Sequence, residues 1–352
     1  DLGSYISMYI GTEDASFSQI FERFIKAPNG QEFLWFFYCK LLGQLSGYSL
    51  KVYVLTSYLL IFSLSAYLSF LVSEKGRYNF ALILFSLMLF ETTFLDSAYD
   101  LWRNITAILI ALISIVSYFS NQSKIICRII LYSTIFIHIS MILIIGLFES
   151  YVLSIYRADV YDLNKRLLAF KMALYITVTT FGLIFLSNLM TIDLNIPIFN
   201  SIKPAIIKYS GSDTIFPGLT IYIRPFFLLA LAYIIYNWKK LNHFDLFLFA
   251  IFIIVEILHF TSDSLGMLFS RVTIFTKIGI LFLSVKFLKN FDYKYVFVFI
   301  FSVFFLRTYI FVYNSRLPFL ENIANGEFLN PIYGLIVSRA YFYNPLFYGF
   351  SF

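Results

Sequence analysis

The chain has 352 residues, of which 60% are hydrophobic and only 13% are charged, and its formal net charge is +6. This composition excludes a soluble domain of this length, because polar side chains could not cover its surface. The lysines and arginines are spread between apolar runs and form no basic tract, which argues against a nucleic-acid partner.

Residues 1–49 are expected to lie outside the membrane. The sequence begins at Asp1 within a polar segment and without a methionine, which predicts a hydrophobic helix upstream. From Phe17 to Phe37, aromatic and aliphatic residues alternate with charged ones, as in an amphipathic helix that lies in the membrane interface. A lid packed on a helical bundle would have the same pattern, so both interpretations stay open.

Apolar runs long enough to cross about 30 Å of hydrocarbon follow. Every backbone polar group must be satisfied within lipid, so runs of this length predict helices, and the fold class is all-α. The predicted spans are 50–72, 78–95, 104–120, 167–190, 219–237, 244–260, 272–288 and 295–313.

Residues 126–156 are longer than one span needs and short for two. Cytoplasmic loops carry an excess of Lys and Arg, and Arg128 and Arg157 share that side only if the chain crosses twice between them. We therefore predict a helical hairpin that turns near residues 138–141.

The hairpin completes a polytopic membrane protein of ten spans, or eleven with the upstream helix. The chain then forms a single membrane domain, 1–352, with the bundle at 50–313 and an outer segment at 314–352. Cys39 is expected outside and Cys127 near the inner face, so a disulfide between them is not expected.

Several cations lie at or within the apolar runs, towards the predicted outer face. Arg103 begins a span and shares a helix face with Asp100, so it is either an outer-interface arginine neutralised by that aspartate or a cation held there for function. An ionised side chain within the membrane costs roughly 2.5 to 3.5 kcal/mol on insertion scales, and carboxylates such as Glu149 and Glu256 are few. The further cations are Arg224, Arg271, Lys277 and Arg307.

A surplus of arginine on the outer side predicts an anion site, because a guanidinium binds phosphate oxygens with two hydrogen bonds at once. The alternative for each arginine is snorkelling to lipid headgroups. His138, at the hairpin turn, is a candidate general base or phosphate hydrogen-bond donor, unless it is a packing residue. Glu256 and His259, three apart, form a second acid/base candidate or simply satisfy each other.

No HExxH motif, cysteine cluster, Gly-rich phosphate loop or GxSxG elbow occurs in the sequence. We therefore expect neither a metal nor another cofactor.

Four short segments carry a resemblance, in chain order: Asp1–Tyr5, Trp102–Ala107, His138–Ser140 and Arg271–Phe275. Together they resemble the EpsG-like branch of the Wzy polysaccharide polymerases. Asp1-Leu2-Gly3-Ser4-Tyr5 resembles that family's "GTD then Tyr" segment. Trp102-Arg103-Asn104-Ile105-Thr106-Ala107 resembles its Arg-Gln-x-x-Ala helix start, with Asn for Gln. His138-Ile139-Ser140 resembles its His-x-Ser, and Arg271 before Phe275 resembles its late Arg before an aromatic residue.

The resemblance implies a GT-C-like, metal-independent glycosyltransferase of a bacterial inner membrane, with its active site facing the periplasm or exterior. Such an enzyme transfers a growing glycan from undecaprenyl pyrophosphate to a lipid-linked repeat unit. Its partners are then lipid-linked oligosaccharides and membrane lipids, and a chain-length regulator is an open possibility. The alternatives are an O-antigen ligase and a lipid-linked oligosaccharide flippase or transporter.

The resemblance also assigns roles by position. Arg103, Arg271 and His138 become the expected catalytic residues, with the two arginines on the pyrophosphate. Asp1 and Tyr5 become substrate-binding candidates through the same motifs. The membrane argument adds the remaining substrate-binding candidates: Arg224, Arg307, Lys277, Glu256 and His259.

Overall fold

A computed structural model describes residues 2–26, 33–73, 81–85, 88, 102–120, 122–138, 140–156, 165–191, 219–237, 241–261, 266–288, 295–296, 298 and 302. Every regular element in this part of the chain is a helix, which confirms the predicted all-α class there. The helices are α1 Leu2–Ile10, α2 Phe17–Lys26, α3 Phe33–Ser46, α4 Leu50–Val72, α5 Trp102–Phe119, α6 Lys124–Ser133, α7 Met141–Tyr151, α8 Lys165–Thr191, α9 Leu219–Asn237, α10 His243–Thr261 and α11 Gly266–Leu288.

Three helical segments among the described residues are long and apolar enough to cross a membrane: Leu50–Val72, Trp102–Phe119 and Leu168–Phe185. The bounds of α4 and α9 are those predicted, and those of α5, α8 and α10 differ by one or two residues. The chain therefore has the helices of an all-α membrane protein.

One predicted boundary is wrong. Helix α11 begins at Gly266, six residues before the predicted start at 272, so Arg271 lies within the helix rather than ahead of it. The predicted spans 78–95 and 295–313 lie mostly outside the described residues, and the predicted outer segment 314–352 lies wholly outside them.

Helix α5 is the central helix of the bundle and is buried on nearly all sides, as an apolar helix without a polar face should be. It packs along α4 and also contacts α6, α7, α10 and α11. Helices α4 and α5 run in the same direction, because Tyr53 and Tyr58 near the start of α4 contact Trp102 at the start of α5, both at 5.4 Å between ring centroids.

Small residues on α4 allow this close packing. Ser57, Ser65 and Ser69 are fully buried on the same face as Ile61. Small side chains let neighbouring helices approach each other. The hydroxyls of Ser65 and Ser69 donate to the carbonyls four residues before them, so they add no unsatisfied group to the interface.

The described residues of 126–156 form a helical hairpin, and its two crossings of the membrane stay a prediction. Helices α6 and α7 lie side by side, and the chain reverses through a 3₁₀ turn at Thr134–Phe136 and the residues up to Ser140. Arg128 on α6 binds Glu149 on α7, and Lys124 donates to the hydroxyl of Tyr156. Each arm is short, because the ten residues of α6 rise only about 15 Å.

The end of the bundle opposite Trp102 is rich in aromatic rings and is called here the Tyr118 end. It comprises the last turn of α5, the first turns of α6 and α10, the π-helical turn Val152–Tyr156 and the last turn of α11. Tyr118 and Phe119 pack on Phe148 at 5.1 and 5.8 Å, and Tyr156 packs on His243 at 4.8 Å.

Basic side chains of α6 and α11 also lie at the Tyr118 end. Lys124 and Arg128 contact the Tyr118 ring at 5.7 and 5.4 Å. Lys286 on α11 forms an ion pair with Asp245, in the first turn of α10. Their common location agrees with the cytoplasmic side predicted for Arg128.

Helices α1 to α3 cover the opposite end, called here the Trp102 end, together with the first turns of α4 and α5. Within the segment from Phe17 to Phe37 that was predicted to be amphipathic, the described residues form α2 and the start of α3. Helix α3 buries Trp35 and Cys39 against its neighbours and exposes Leu41 and Leu45. It is thus a lid on the bundle that also presents an apolar stripe outwards.

Candidate functional site

The candidate site lies where α1 meets the start of α5. The Tyr5 ring stacks on the Trp102 ring, with centroids 5.6 Å apart and planes 9° apart. The Arg103 guanidinium lies 5.1 Å from the centre of the Tyr5 ring. Tyr5 is 2% exposed, whereas Arg103 is half-buried. Two segments almost 100 residues apart in the sequence thus form one contact, and an aromatic face holds the guanidinium.

A buried lysine on α3 holds α1 in this position. The ammonium of Lys40 donates to the carbonyls of Thr12 and Glu13, at 3.0 and 2.9 Å. The Tyr48 hydroxyl donates to the same Thr12 carbonyl at 3.1 Å. Carbonyls just beyond a helix C-terminus attract a cation. Lys40 therefore fixes the turn that follows α1, and with it the position of Tyr5.

The end of α3 requires a glycine, since Gly47 has a φ of 61° and the Tyr48 N–H donates to the Gly43 carbonyl at 2.9 Å, as in a Schellman motif. The Tyr48 ring then lies against Gly43, where a Cβ atom would be 2.3 Å from Cε1 of the ring. Gly43 therefore leaves room for the tyrosine that binds α1.

Tyr9 attaches α1 to the start of α4. Its ring stacks on Tyr53 at 4.2 Å, and its hydroxyl is hydrogen-bonded to that of Ser46 at 2.9 Å. Burial raises the pKa of Tyr9, and it raises the pKa of the nearby Cys39 thiol to about 12. Both groups are therefore neutral at physiological pH, and this contact carries no charge.

The first turns of α5 contain polar atoms that the packing does not satisfy. Trp102 and Asn104 are fully buried and Thr106 is 3% exposed. The indole N–H, both ends of the carboxamide and the threonine hydroxyl have no hydrogen-bond partner within the described part of the chain. On the same helix Ser114 donates to Ile110, the usual arrangement for a hydroxyl in a span.

His138 lies at the hairpin turn and is half-buried. Its Nδ1 accepts the Ser140 N–H at 3.2 Å and lies 2.8 Å from the Ser140 hydroxyl. Because Nδ1 accepts, the neutral ring carries its proton on Nε2. The 3₁₀ turn just before His138 contacts α3 and α5, so His138 is at the end of the hairpin that approaches the lid.

Lys277 and Glu256 form a second charged group. Lys277 is 8% exposed, and its charge interacts with that of the half-buried Glu256. Along their helices they lie about 14 to 16 Å from the Asp245–Lys286 pair, towards the Trp102 half of the bundle. Glu256 thus has a buried cation in its surroundings, and the side chain of His259 lies outside the described residues.

Glu149 was one of the carboxylates considered as partners for the cations of the predicted outer face, but its partner in the structure is Arg128. Glu149 accepts two hydrogen bonds from Arg128, at 2.8 and 2.7 Å, and a third from the Tyr132 hydroxyl at 2.8 Å. It thus belongs to the hairpin. Several predicted site residues cannot be located: the side chains of Arg224 and Arg271, and all of Asp1 and Arg307, lie outside the described residues.

Sequence reasoning missed Lys40 and the polar character of the start of α5. A lysine in the middle of an apolar helix such as α3 is itself the signal that sequence inspection could have used. Nothing in the sequence distinguishes Asn104 from an ordinary helix-start residue, because its lack of partners arises only from tertiary packing.

The described residues contain no group of three His, Cys, Asp or Glu side chains that could hold a metal ion. Comparisons with models of protein families, with curated proteins and with solved structures gave no match for the chain.

Proposed function

We propose that the protein is a Wzy-type polymerase, which transfers a growing glycan from undecaprenyl pyrophosphate to a lipid-linked repeat unit on the outer side of a bacterial inner membrane. The observation that carries this proposal is the contact between Tyr5 and Arg103. These residues belong to two of the four segments that resemble the family. Their meeting at one end of an apolar bundle supports a common role.

The chemistry proposed for Arg103 is electrostatic. Cleavage of the anomeric C–O bond leaves negative charge on the pyrophosphate, and a preorganised guanidinium in a water-poor site stabilises that charge as it develops. The Tyr5 ring, which stacks on Trp102, restricts the directions in which Arg103 can point. Arg271 is the proposed second pyrophosphate ligand.

His138 is proposed to donate a hydrogen bond rather than to act as the base. Its Nδ1 accepts from Ser140, so the neutral ring offers the Nε2 proton. The Nε2–H group could donate a hydrogen bond to a phosphate oxygen of the leaving group. Removal of the acceptor hydroxyl's proton then belongs to another group, and Glu256 beside Lys277 is the candidate among the described residues.

The finer structural assignments are part of the same proposal. They are a GT-C-like bundle of ten or eleven spans, with the Trp102 end facing the periplasm or exterior. The short arms of the hairpin and the lid formed by α1 to α3 are features that such an outward-facing site could use to exclude water.

A reconstitution experiment tests the activity. Purified protein in lipid nanodiscs, given lipid-linked repeat units and no nucleotide sugar, should produce a ladder of longer glycans on a gel. Absence of a ladder with a substrate that another polymerase accepts would refute the proposal.

A deletion strain separates the alternatives. Loss of a polymerase should leave single repeat units on the cell surface, whereas loss of a flippase should leave no exported glycan. Loss of a ligase should leave long glycan on its lipid carrier. Only the first result agrees with the proposal.

A further inference from the structure

Asn104 is a fully buried polar side chain in the first turn of α5. It is 0% exposed, and neither its Nδ2 nor its Oδ1 has a hydrogen-bond partner within the described part of the chain. A buried amide in an apolar setting normally finds partners, because an unmade hydrogen bond there is not replaced by one to water. In the central helix of a membrane bundle, a ligand that binds this amide would supply the missing hydrogen bonds.

Asn104 also lies on a particular face of α5. Helical periodicity places it opposite Trp102, and on the same face as Ala111, Ile115 and Tyr118. Tyr118 packs edge-on against Phe148 of the hairpin, with ring centroids 5.1 Å apart. Asn104 is therefore on the hairpin side of α5, whereas Trp102 faces α1 and α4.

Helix α7 does not reach the level of Asn104. From Tyr118 to Asn104, α5 rises about 21 Å, whereas α7 rises only about 10 Å from Phe148 back to its first residue, Met141. Asn104 therefore lies beyond the end of α7, and it is one residue from Arg103.

We propose that the carboxamide of Asn104 binds the sugar next to the pyrophosphate, accepting from one hydroxyl or acetamido group and donating to another. This inference rests on the proposed function, since it names the part of the same substrate that Asn104 contacts. An amide suits a sugar because it offers both a donor and an acceptor. Arg103 would hold the charged part of the lipid carrier and Asn104 the neutral part beside it.

Asn104→Leu is the most informative variant, because leucine has a similar volume and removes both polar atoms. If no protein group pairs with the amide, the variant should unfold at the same temperature as the wild type or higher. Its KM for the lipid-linked repeat unit should rise by about tenfold, as expected for two lost hydrogen bonds to a neutral ligand. Asn104→Gln keeps the amide and should recover part of this loss.

Ser114→Ala is the matched control. Ser114 is a buried polar residue of the same helix, but its hydroxyl donates to Ile110. The control should leave KM within about twofold of the wild type, because only a local hydrogen bond is lost. Thermal unfolding with and without lipid-linked repeat unit gives a second readout, in which Asn104→Leu should lose most of the stabilisation by substrate.

The outcomes separate the two claims. If the wild type makes no ladder and is not stabilised by the substrate, the proposed function fails and the glycan ligand with it. If the wild type makes a ladder and Asn104→Leu keeps its KM, the amide binds only a buried water and the inference is wrong. If Asn104→Leu unfolds at a lower temperature or does not fold, the amide has a structural partner and the inference is wrong as well.

Discussion

The two ends of α5 differ in how they accommodate polar side chains. At the Tyr118 end, Glu149 receives three hydrogen bonds, and Asp245 receives the Lys286 ammonium and the Tyr233 hydroxyl. At the Trp102 end, buried polar atoms of Trp102 and Asn104 have no partner within the described residues. Satisfied pairs hold helices together, whereas unsatisfied buried groups indicate a place where a ligand supplies the missing bonds.

The largest expected loss of stability comes from breaking the hairpin pair. Glu149→Leu leaves the Arg128 guanidinium without its bidentate partner in a partly buried position, which should lower the free energy of unfolding by about 3 kcal/mol. Denaturant unfolding in a mild detergent measures this change. Polymerisation per folded molecule should stay the same, because the pair is far from Arg103.

The double variant Arg128→Met with Glu149→Leu tests whether the uncompensated charge of Arg128 causes this loss of stability. Replacing both partners by apolar residues removes the uncompensated charge, so most of the lost stability should return. A double variant that is less stable than Glu149→Leu would show that the pair is not the reason for the loss.

A smaller effect is expected from Gly43→Ala at the other end. The new Cβ would collide with the Tyr48 ring, whose hydroxyl binds Thr12, and overpacking of this kind costs about 1 to 3 kcal/mol. The glycan ladder should shorten as well, since α1 carries Tyr5. Thermal unfolding and the ladder assay together measure the two effects.

Gly146→Ala, on α7, is the control for Gly43→Ala. A Cβ there meets nothing within 4 Å, so the change should stabilise the helix by about 0.5 to 1 kcal/mol. If both glycine variants behaved alike, the close contact between Gly43 and Tyr48 would not matter.

The smallest effect concerns Cys39 in the lid. Burial raises the pKa of its thiol to about 12, so the thiolate is scarce between pH 7 and 9. Alkylation should therefore be slow, and it should become fast only after unfolding. Mass spectrometry after timed iodoacetamide treatment measures the rate, and rapid labelling of the folded protein at pH 8 would show that α3 does not bury Cys39 against its neighbours.

Long helices were predictable because their apolar runs match the thickness of a bilayer, and α4 and α9 begin and end where the sequence indicated. The hairpin could be predicted from charge alone, since Lys and Arg on both sides of it require the chain to return. The start of α11 could not, because Ser270 and Arg271 interrupt the apolar run, whereas the helix continues through them from Gly266.

The candidate site could be predicted only in part. Arg103 was a candidate because a cation at the start of a span that was predicted to begin on the outer side is costly without a partner, and Tyr5 was a candidate because of its motif. That the two side chains touch depends on Lys40 and Tyr48 holding α1 in place. Contacts of this kind between distant segments produce no periodic pattern or fixed spacing in the sequence, so they cannot be predicted from it.

The difference between the ends of α5 can be tested most directly with one conservative change made at each end. Arg103→Lys and Arg128→Lys both replace a guanidinium by a point charge that does not reproduce bidentate hydrogen bonding. The ladder assay and thermal unfolding in detergent, carried out on both variants, measure activity and stability side by side.

We predict that Arg103→Lys lowers the polymerisation rate by about tenfold or more and leaves the unfolding temperature unchanged, because a positioned donor to the leaving group is lost. Arg128→Lys should lower the unfolding temperature and keep the rate per folded molecule. Wild-type ladders from Arg103→Lys, or loss of the ladder in Arg128→Lys at full stability, would contradict the assignment of ligand binding to the Trp102 end.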